Sequence, residues 1–381
     1  MPDAFILEAV RTPTGKNGGV LADVRGDQLL AECLNAIVAR TKIDPAQVED
    51  VVGGCVTQVQ EQGVCVVRQA VLAAGWPQSV PGTTVNRLCG SGAQALAFAA
   101  MEVMSGQNAL TVGGGMESMT RVPMGSDGVS FNPNLTDRYD MVPQGISAEL
   151  VAERWGLTRQ ELDAFSYESH RKALHAQKEG KFTREIVPVP VRDAKGKVLR
   201  TVSEDQGPRA DTSLEKLGTL KPAFRPDGII TAGTSSQISD GAAALLIGSE
   251  KKAKELGLKP RARIVAHVQV GVDPTMMLTG PIPATRQALQ RAGLKLEQID
   301  LFEVNEAFAS VVLAWQKELG VDPRKVNVNG GAIALGHPLG CSGARLVTTL
   351  LHELERQQLR YGLSTLCVGL GMGVATVIER L

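Results

Sequence analysis

The sequence carries no excess charge of either sign: 40 Lys and Arg balance 40 Asp and Glu over 381 residues. That balance excludes a global field that would gather nucleic acid or an anionic membrane surface. Long apolar runs are also missing. Stretches such as ALAFAAM fall well short of the ~18 residues a spanning helix needs, so no membrane insertion is expected. The start, MPDAFILEAVRTP, has an early Asp and no basic segment ahead of an apolar core, unlike a secretory signal. Six cysteines (33, 55, 65, 89, 341, 367) show neither paired nor metal-ligand spacing. Reduced thiols, no metal site and a cytoplasmic location are the expectation. There is no Gly-Lys-Ser/Thr phosphate loop. The glycine-rich CVGLGMG (367–373) follows a strand pattern, but the chain continues as the alternating VATVIERL. A dinucleotide site needs a helix there to receive the pyrophosphate, and none is expected.

What the chain does contain is an alternation of short β-branched runs with helical patterns, which predicts α/β layers. Its two ends also resemble each other. VEDVVGGCVTQ (48–58) has a counterpart in IDLFEVNEAFA (299–309), and the Ser-Gly-Ala of 91–93 recurs at 342–344. ALTVGGGMES (109–118) then matches LSTLCVGLGMG (363–373). Collinear matches of this kind predict two duplicated α/β halves packed together. The amino-terminal half spans 1–250 and includes an inserted loop lobe at about 119–240; the carboxy-terminal half spans 259–381. Within the insert, helices are predicted at 147–155 and after Thr158, where Thr158 and Glu161 form a capping box with a Leu157–Leu162 staple and Gly180 as a stop. Arg192, Lys195, Lys197, Arg200 and Arg209 thicken its positive charge, as a solvated face or as a seat for a phosphorylated ligand.

Four places carry chemistry. Cys89, in VNRLCGSGAQAL, precedes a helix predicted over 92–104 and stopped by Gly106. A thiol at a helix start is favoured as thiolate, although free cysteines commonly serve as packing residues. His337 lies between Gly336 and Pro338 on a rigid loop entering a helix near Ser342. It is suited to activating a thiol brought from the other half, or to a plain structural hydrogen bond. The glycines beside Cys367 could offer backbone N–H groups to a developing oxyanion. Asn305 ends a strand; it is either a helix cap or a polar group projecting between the halves. The remaining histidines (170, 175, 267, 352) read as surface or structural residues.

Together NRLCGSG, NEAFA, TSSQISDGAAA, GGAIALGHPLGCSGAR and CVGLGMG, in this order and spacing, resemble the signature blocks of thiolases. The resemblance covers essentially the whole chain and implies a layered αβαβα fold. It further implies Cys89 as the acylated nucleophile, His337 as its base and an oxyanion ligand, and Asn305 as holder of a water completing that site. Cys367 would be the acid/base on the substrate carbon, and the amides of Cys89 and Gly369 a second oxyanion hole. Coenzyme A is implied as substrate, with no permanently bound cofactor; Arg209 would reach its nucleotide end, Phe224 pack nearby and Ser236 line the pantetheine path. A homodimer or homotetramer is implied, the dimer being favoured because 122–142 does not match a tetramer-forming loop. PQG (143–145) stands where acetoacetyl-CoA thiolases often show His-Met-Gly; Thr234 and Gln237 also depart from frequent family residues. The wording elsewhere favours a degradative 3-ketoacyl-CoA thiolase over an acetyl-CoA C-acetyltransferase. A hydroxymethylglutaryl-type condensing enzyme is disfavoured by Cys367, and a non-catalytic acyl-CoA or lipid binder by the complete set of four residues.

Overall fold

The structure, a computed structural model, describes residues 3–128 and 130–381. The amino-terminal half opens with β1 (Phe5–Arg11), β2 (Gly15–Lys16) and α1 (Gly26–Thr41), followed by β3 (Asp50–Gly54), α2 (Val66–Ala73) and β4 (Thr83–Val85). It continues with α3 (Ser91–Ser105) and β5 (Leu110–Ser118). The insert holds α4 (Pro133–Thr136), α5 (Gln144–Arg154), α6 (Arg159–Lys178), the hairpin β6 (Val189–Arg192) and β7 (Val198–Val202), and α7 (Leu214–Gly218). The half closes with β8 (Ser239–Gly248) and α8 (Glu250–Glu255). The second half comprises β9 (Ala262–Gly271), α9 (Pro281–Ala292), β10 (Leu301–Val304), α10 (Ala309–Leu319), α11 (Ala332–Leu335), α12 (Leu339–Gln357), β11 (Tyr361–Val368) and β12 (Met372–Arg380).

Strands join in the order β10-β11-β12-β9-β1-β8-β5-β3-β4, in which β9, β12, β11 and β10 mirror β1, β8, β5 and β3, and β4 extends the amino-terminal side by one strand. Register fixes the equivalence residue by residue. Asp50 pairs with Thr111 in one half and Leu301 with Gly362 in the other, the same distance apart along the chain. At the centre, Phe5 pairs with Arg263, and each partner leads outward through matching ladders, Gly248 to Leu110 and Glu379 to Tyr361. The duplication is therefore a pseudo-dyad through the β1–β9 contact. Asp50 corresponds to Leu301, as the match of 48–58 with 299–309 has it. In this register Ser91 equals Ser342, Asn86 equals His337, Cys89 equals Gly340, Gly54 equals Asn305 and Met116 equals Cys367.

Alternating strand residues divide the core between layers, because neighbours along a strand face opposite ways. Val51, Val112 and Leu246 pack with Leu30 and Leu34 of α1 and Val67 and Val71 of α2 on one outer face. Phe302, Leu363 and Val377 pack with Leu289 of α9 and Trp315 of α10 on the other. Between the sheets lie Val52, Leu245 and Leu301 with Ala95 and Ala99 of α3 and Val347 and Leu351 of α12. This is the expected αβαβα order. The two central helices cross at glycine: a Cβ on Gly343 would sit 2.2 Å from the amide nitrogen of Ala93, and one on Gly92 would lie 2.7 Å from the Gly340 carbonyl oxygen. Only a bare backbone permits that approach. In the insert, the capping box of Thr158 and Glu161 forms as expected and α6 stops at Gly180, with φ +64°. The preceding helix starts at Gln144, three residues earlier than its pattern suggests, because Pro143 is pre-set for the position before it.

Candidate active site

Cys89 sits on a strained turn whose parts are all local. Leu88 has φ +46°, a left-handed conformation that a branched side chain resists. Asn86 Oδ1 accepts from the Leu88 amide at 2.8 Å, while Ser91 Oγ accepts from the Arg87 amide at 2.9 Å and donates to the Leu88 carbonyl at 2.6 Å. These bonds hold Leu88 where it is and aim Cys89 at the cleft, one residue before Gly90 caps α3. The thiol is not depressed as its place at a helix start suggests. Burial pushes it up to about 11, against the amides of Gly369 and of Cys89 itself, which pull it down. Desolvation outweighs the helix end, so the proton must be taken by a base.

His337 provides the lone pair. Ser342 Oγ donates to the Pro338 carbonyl at 2.8 Å, so its oxygen accepts from His337 Nδ1 at 2.6 Å. The proton is thereby placed on Nδ1 and Nε2 is left as acceptor. Nε2 lies 3.3 Å from Asn305 Nδ2, which donates to it. Burial holds the imidazole down to about 3, with the Arg345 cation adding to the effect, so it is neutral near pH 7. Asn305 is not a helix cap: α10 begins at Ala309 behind Phe308, and the Asn305 side chain meets His337 instead.

Cys367, near the end of β11, faces the same space. A cavity of about 280 Å³ is lined by Cys89, His337, Cys367 and Gly369, and walled by Met119, Phe308 and Leu339 among others. Burial and then the nearby Cys89 push the Cys367 thiol up. Gly369 begins the turn to β12, completed by Leu370 at φ +62° and Gly371 at φ +79°. The Gly369 amide lies near enough to the Cys89 thiol to favour its thiolate. Cys89 and Cys367 come from opposite halves but not from equivalent positions.

Sequence reading missed the scaffold behind these groups. Buried Glu117 of β5 accepts from the amides of Val56 at 2.9 Å, Thr57 at 3.0 Å and Gly340 at 2.8 Å, tying the Cys89 side to the first turn of α12. Glu306 accepts from Ser169 Oγ, Asn327 Nδ2 and the Ile333 amide. Gln237 donates to the carbonyls of Gly207, Ile333 and Ala334, and its own carbonyl accepts from the His337 amide at 3.0 Å. The one available signal for Gln237 was its departure from a frequent family residue.

Of the three residues expected to meet coenzyme A, Phe224 and Ser236 line the cavity, Phe224 standing edge-on to Phe308 at 5.7 Å. Arg209 lies outside its lining, exposed, with its amide donating to His170 Nδ1 at 3.2 Å. The basic residues of the β6–β7 hairpin are likewise absent from the cavity wall. Arg192 is satisfied by the Gly196 carbonyl and Arg200 by the Val20 carbonyl, which favours a solvated face. His352 and His267 are buried on the Ala9 carbonyl and Thr376 Oγ1, and His175 is exposed.

Two family profiles account for nearly the whole chain: thiolase N-terminal domain over residues 4–251 and thiolase C-terminal domain over 258–380. The chain belongs to the thiolase family. Among curated thiolases, the 3-ketoacyl-CoA thiolase of Klebsiella pneumoniae is 47% identical over 388 residues, covering 100% of both chains. The 3-ketoacyl-CoA thiolase FadA of Escherichia coli K12 is also 47% identical, with the same coverage. The solved structure of Bacillus anthracis acetyl-CoA acetyltransferase matches with a TM-score of 0.92 at 41% identity, over 100% of this chain and 99% of that one. This thiolase is therefore an acyltransferase enzyme with the family's fold, and no helix among its described residues is long and apolar enough to cross a membrane.

Proposed function

We propose that this thiolase cleaves 3-ketoacyl-CoA with coenzyme A, giving acetyl-CoA and a shortened acyl-CoA. The observation that carries this reading is the meeting of Cys89, His337, Cys367 and the Gly369 amide on one cavity. His337 Nε2 takes the Cys89 proton, and the thiolate attacks the 3-keto carbon. The oxygen that becomes negative faces the amides of Cys89 and Gly369. The C2–C3 bond then breaks. Its electron pair passes into an acetyl-CoA enolate whose oxygen faces His337 and a water on Asn305, and the Cys367 thiol protonates C2. Acetyl-CoA leaves, Cys367 recovers its proton from the thiol of incoming coenzyme A, and that thiolate lifts the acyl group from Cys89, whose sulfur takes its proton back from His337. Kinetics are ping-pong, and no metal or permanently bound cofactor takes part.

The cavity wall supports an acyl chain longer than acetyl: Met119, Met124, Ile238 and Leu278 surround it. Methionines re-pack around ligands of different length. Phe224 and Ser236 would follow the pantetheine arm, and Arg209, outside the cavity, the nucleotide end. The second reading, an acetyl-CoA C-acetyltransferase, draws on the Bacillus anthracis relative. A chain-length series decides between them: kcat/KM rising beyond the four-carbon substrate is expected, a maximum at acetoacetyl-CoA would favour the second reading, and no cleavage at any length would overturn both.

We also place the enzyme in the cytoplasm as a homodimer. Phe98 and Met101 of α3 are 40% and 43% exposed beside β4, whose outer edge is unpaired among the described residues, an apolar face that a second copy would cover. Light scattering giving twice the chain mass is expected; a monomer or tetramer would refute the dimer.

A further inference from the structure

Behind the cavity, four buried side chains leave polar atoms without protein partners. All three guanidinium nitrogens of Arg345, Oε2 of Glu303, Oδ1 of Asn305 and Oγ of Ser364 find no hydrogen-bond partner among the described residues, although none of these residues is more than 2% exposed. They share one seam. Glu303 and Asn305 lie two residues apart on one face of the β10 strand line, Ser364 is the register partner of Glu303 on β11, and Arg345 is one turn along α12 from the Ser342 that holds His337. Arg345 acts electrostatically on both Glu303 and His337, yet it closes no ion pair with Glu303 among the described residues. A buried guanidinium is paired or hydrated, and orphaned polar atoms in such numbers are rare in a protein interior.

We propose that these four side chains enclose a cluster of bound waters, and that Arg345, through it, holds the Asn305 amide so that Nδ2 faces His337 and the water that meets the enolate oxygen. The inference rests on the reading of the reaction given above. Complementarity supports it: Arg345 has only donors to offer, while Glu303, Asn305 and Ser364 each present an acceptor, and single waters bridge the two sets. It also explains the sense of the amide. Turned over, Asn305 would set its NH2 group against a cation and its oxygen against the lone pair of His337 Nε2. Arg345 and Glu303 are thus positioning residues for the oxyanion site at Asn305, and they have no part in the separate site formed by the amides of Cys89 and Gly369.

The two sites allow a test. In Arg345→Met, cleavage of 3-ketoacyl-CoA and solvent-deuterium exchange into the methyl group of acetyl-CoA should both fall roughly 30- to 100-fold, in the range for loss of supporting-shell contacts. Acylation of Cys89 by acyl-CoA, followed by intact mass, should stay within about threefold, since that step uses the other site. Arg345→Lys, which feeds the same waters, should recover most of the loss, and Glu303→Gln should show the same split at roughly tenfold. Should Arg345→Met fail to fold, Glu303→Gln and Arg345→Lys decide. Equal loss of acylation and cleavage, or unimpaired exchange in folded variants, overturns the proposal. Failure of the unaltered enzyme to acylate Cys89 would instead overturn the parent reading.

Discussion

Ser91 and Ser342 occupy the same place in the two halves, in the first turns of α3 and α12, and each donates its hydroxyl proton back to a carbonyl of the preceding turn. What each accepts is different. Ser91 accepts from the backbone amide of Arg87 and so fixes the strained turn of Cys89, whereas Ser342 accepts from the imidazole of His337 and so fixes its tautomer. At the remaining equivalent positions the halves trade roles in the same way. Asn86, which caps the Leu88 amide, answers to His337, and Met116, packed in the outer core, answers to Cys367. Duplication supplied two similar turns; the chemistry lies wherever one copy kept a packing or shaping residue and the other carries a reactive group.

That contrast is broken most severely by making the second turn like the first. His337→Asn puts the Asn86 residue type in both turns and removes the base for a thiol that burial has pushed up. Cleavage should fall roughly 10⁴-fold by steady-state assay, with the loss easing as pH rises toward the Cys89 value of about 11. A pH-independent loss would mean that His337 is not the base. Cys367→Ala should cost about 10²- to 10³-fold in carbon–carbon cleavage while Cys89 still acylates. Comparable loss of both steps would show that the two sulfurs do not divide the work.

A smaller effect is expected where the halves are tied. Glu117 gathers amides from the Val56–Thr57 segment and from Gly340, and its register equivalent is the apolar Val368. Glu117→Gln turns an NH2 group toward these donors. A loss of about 2–3 kcal/mol in urea unfolding is expected, with a drop in kcat, since both reactive turns shift. Unchanged stability would mean that the carboxylate is not the tie.

Much of this was legible in the sequence, for physical reasons. The apolar face of α3 and its Gly106 stop, the Thr158 capping box and the strand before CVGLGMG are local signals, and local interactions formed them. The repeat was visible and two of its matches, 48–58 with 299–309 and 91–93 with 342–344, hold the structural register; the match of 109–118 with 363–373 does not, because a ladder is set by partners across the sheet. Arg345 and Glu303 have the composition of surface residues; only the enclosure of α12 between two sheets buries them. The Cys89 thiol was misjudged for the same reason: a helix start can be recognised from its neighbours along the chain, while desolvation depends on everything that closes over it.

The mildest expected effect concerns acid. Outside the insert, the amino-terminal half contains no histidine, whereas the carboxy-terminal half buries His267, His337 and His352, each held down to about 3 chiefly by desolvation. An unfolded imidazole takes up its proton near pH 6.5, well before the folded one. Stability from each is therefore complete above about 6.5 and is lost as pH falls toward 3, at about 1.4 kcal/mol per pH unit. His352 joins the halves by donating from Nε2 to the Ala9 carbonyl at 3.0 Å, a bond that a glutamine amide can replace without titrating. Urea unfolding at pH 7.5 and 5.0 should show His352→Gln losing about 2 kcal/mol less than the unaltered chain over that interval. An identical loss would mean that His352 is already charged in the folded protein.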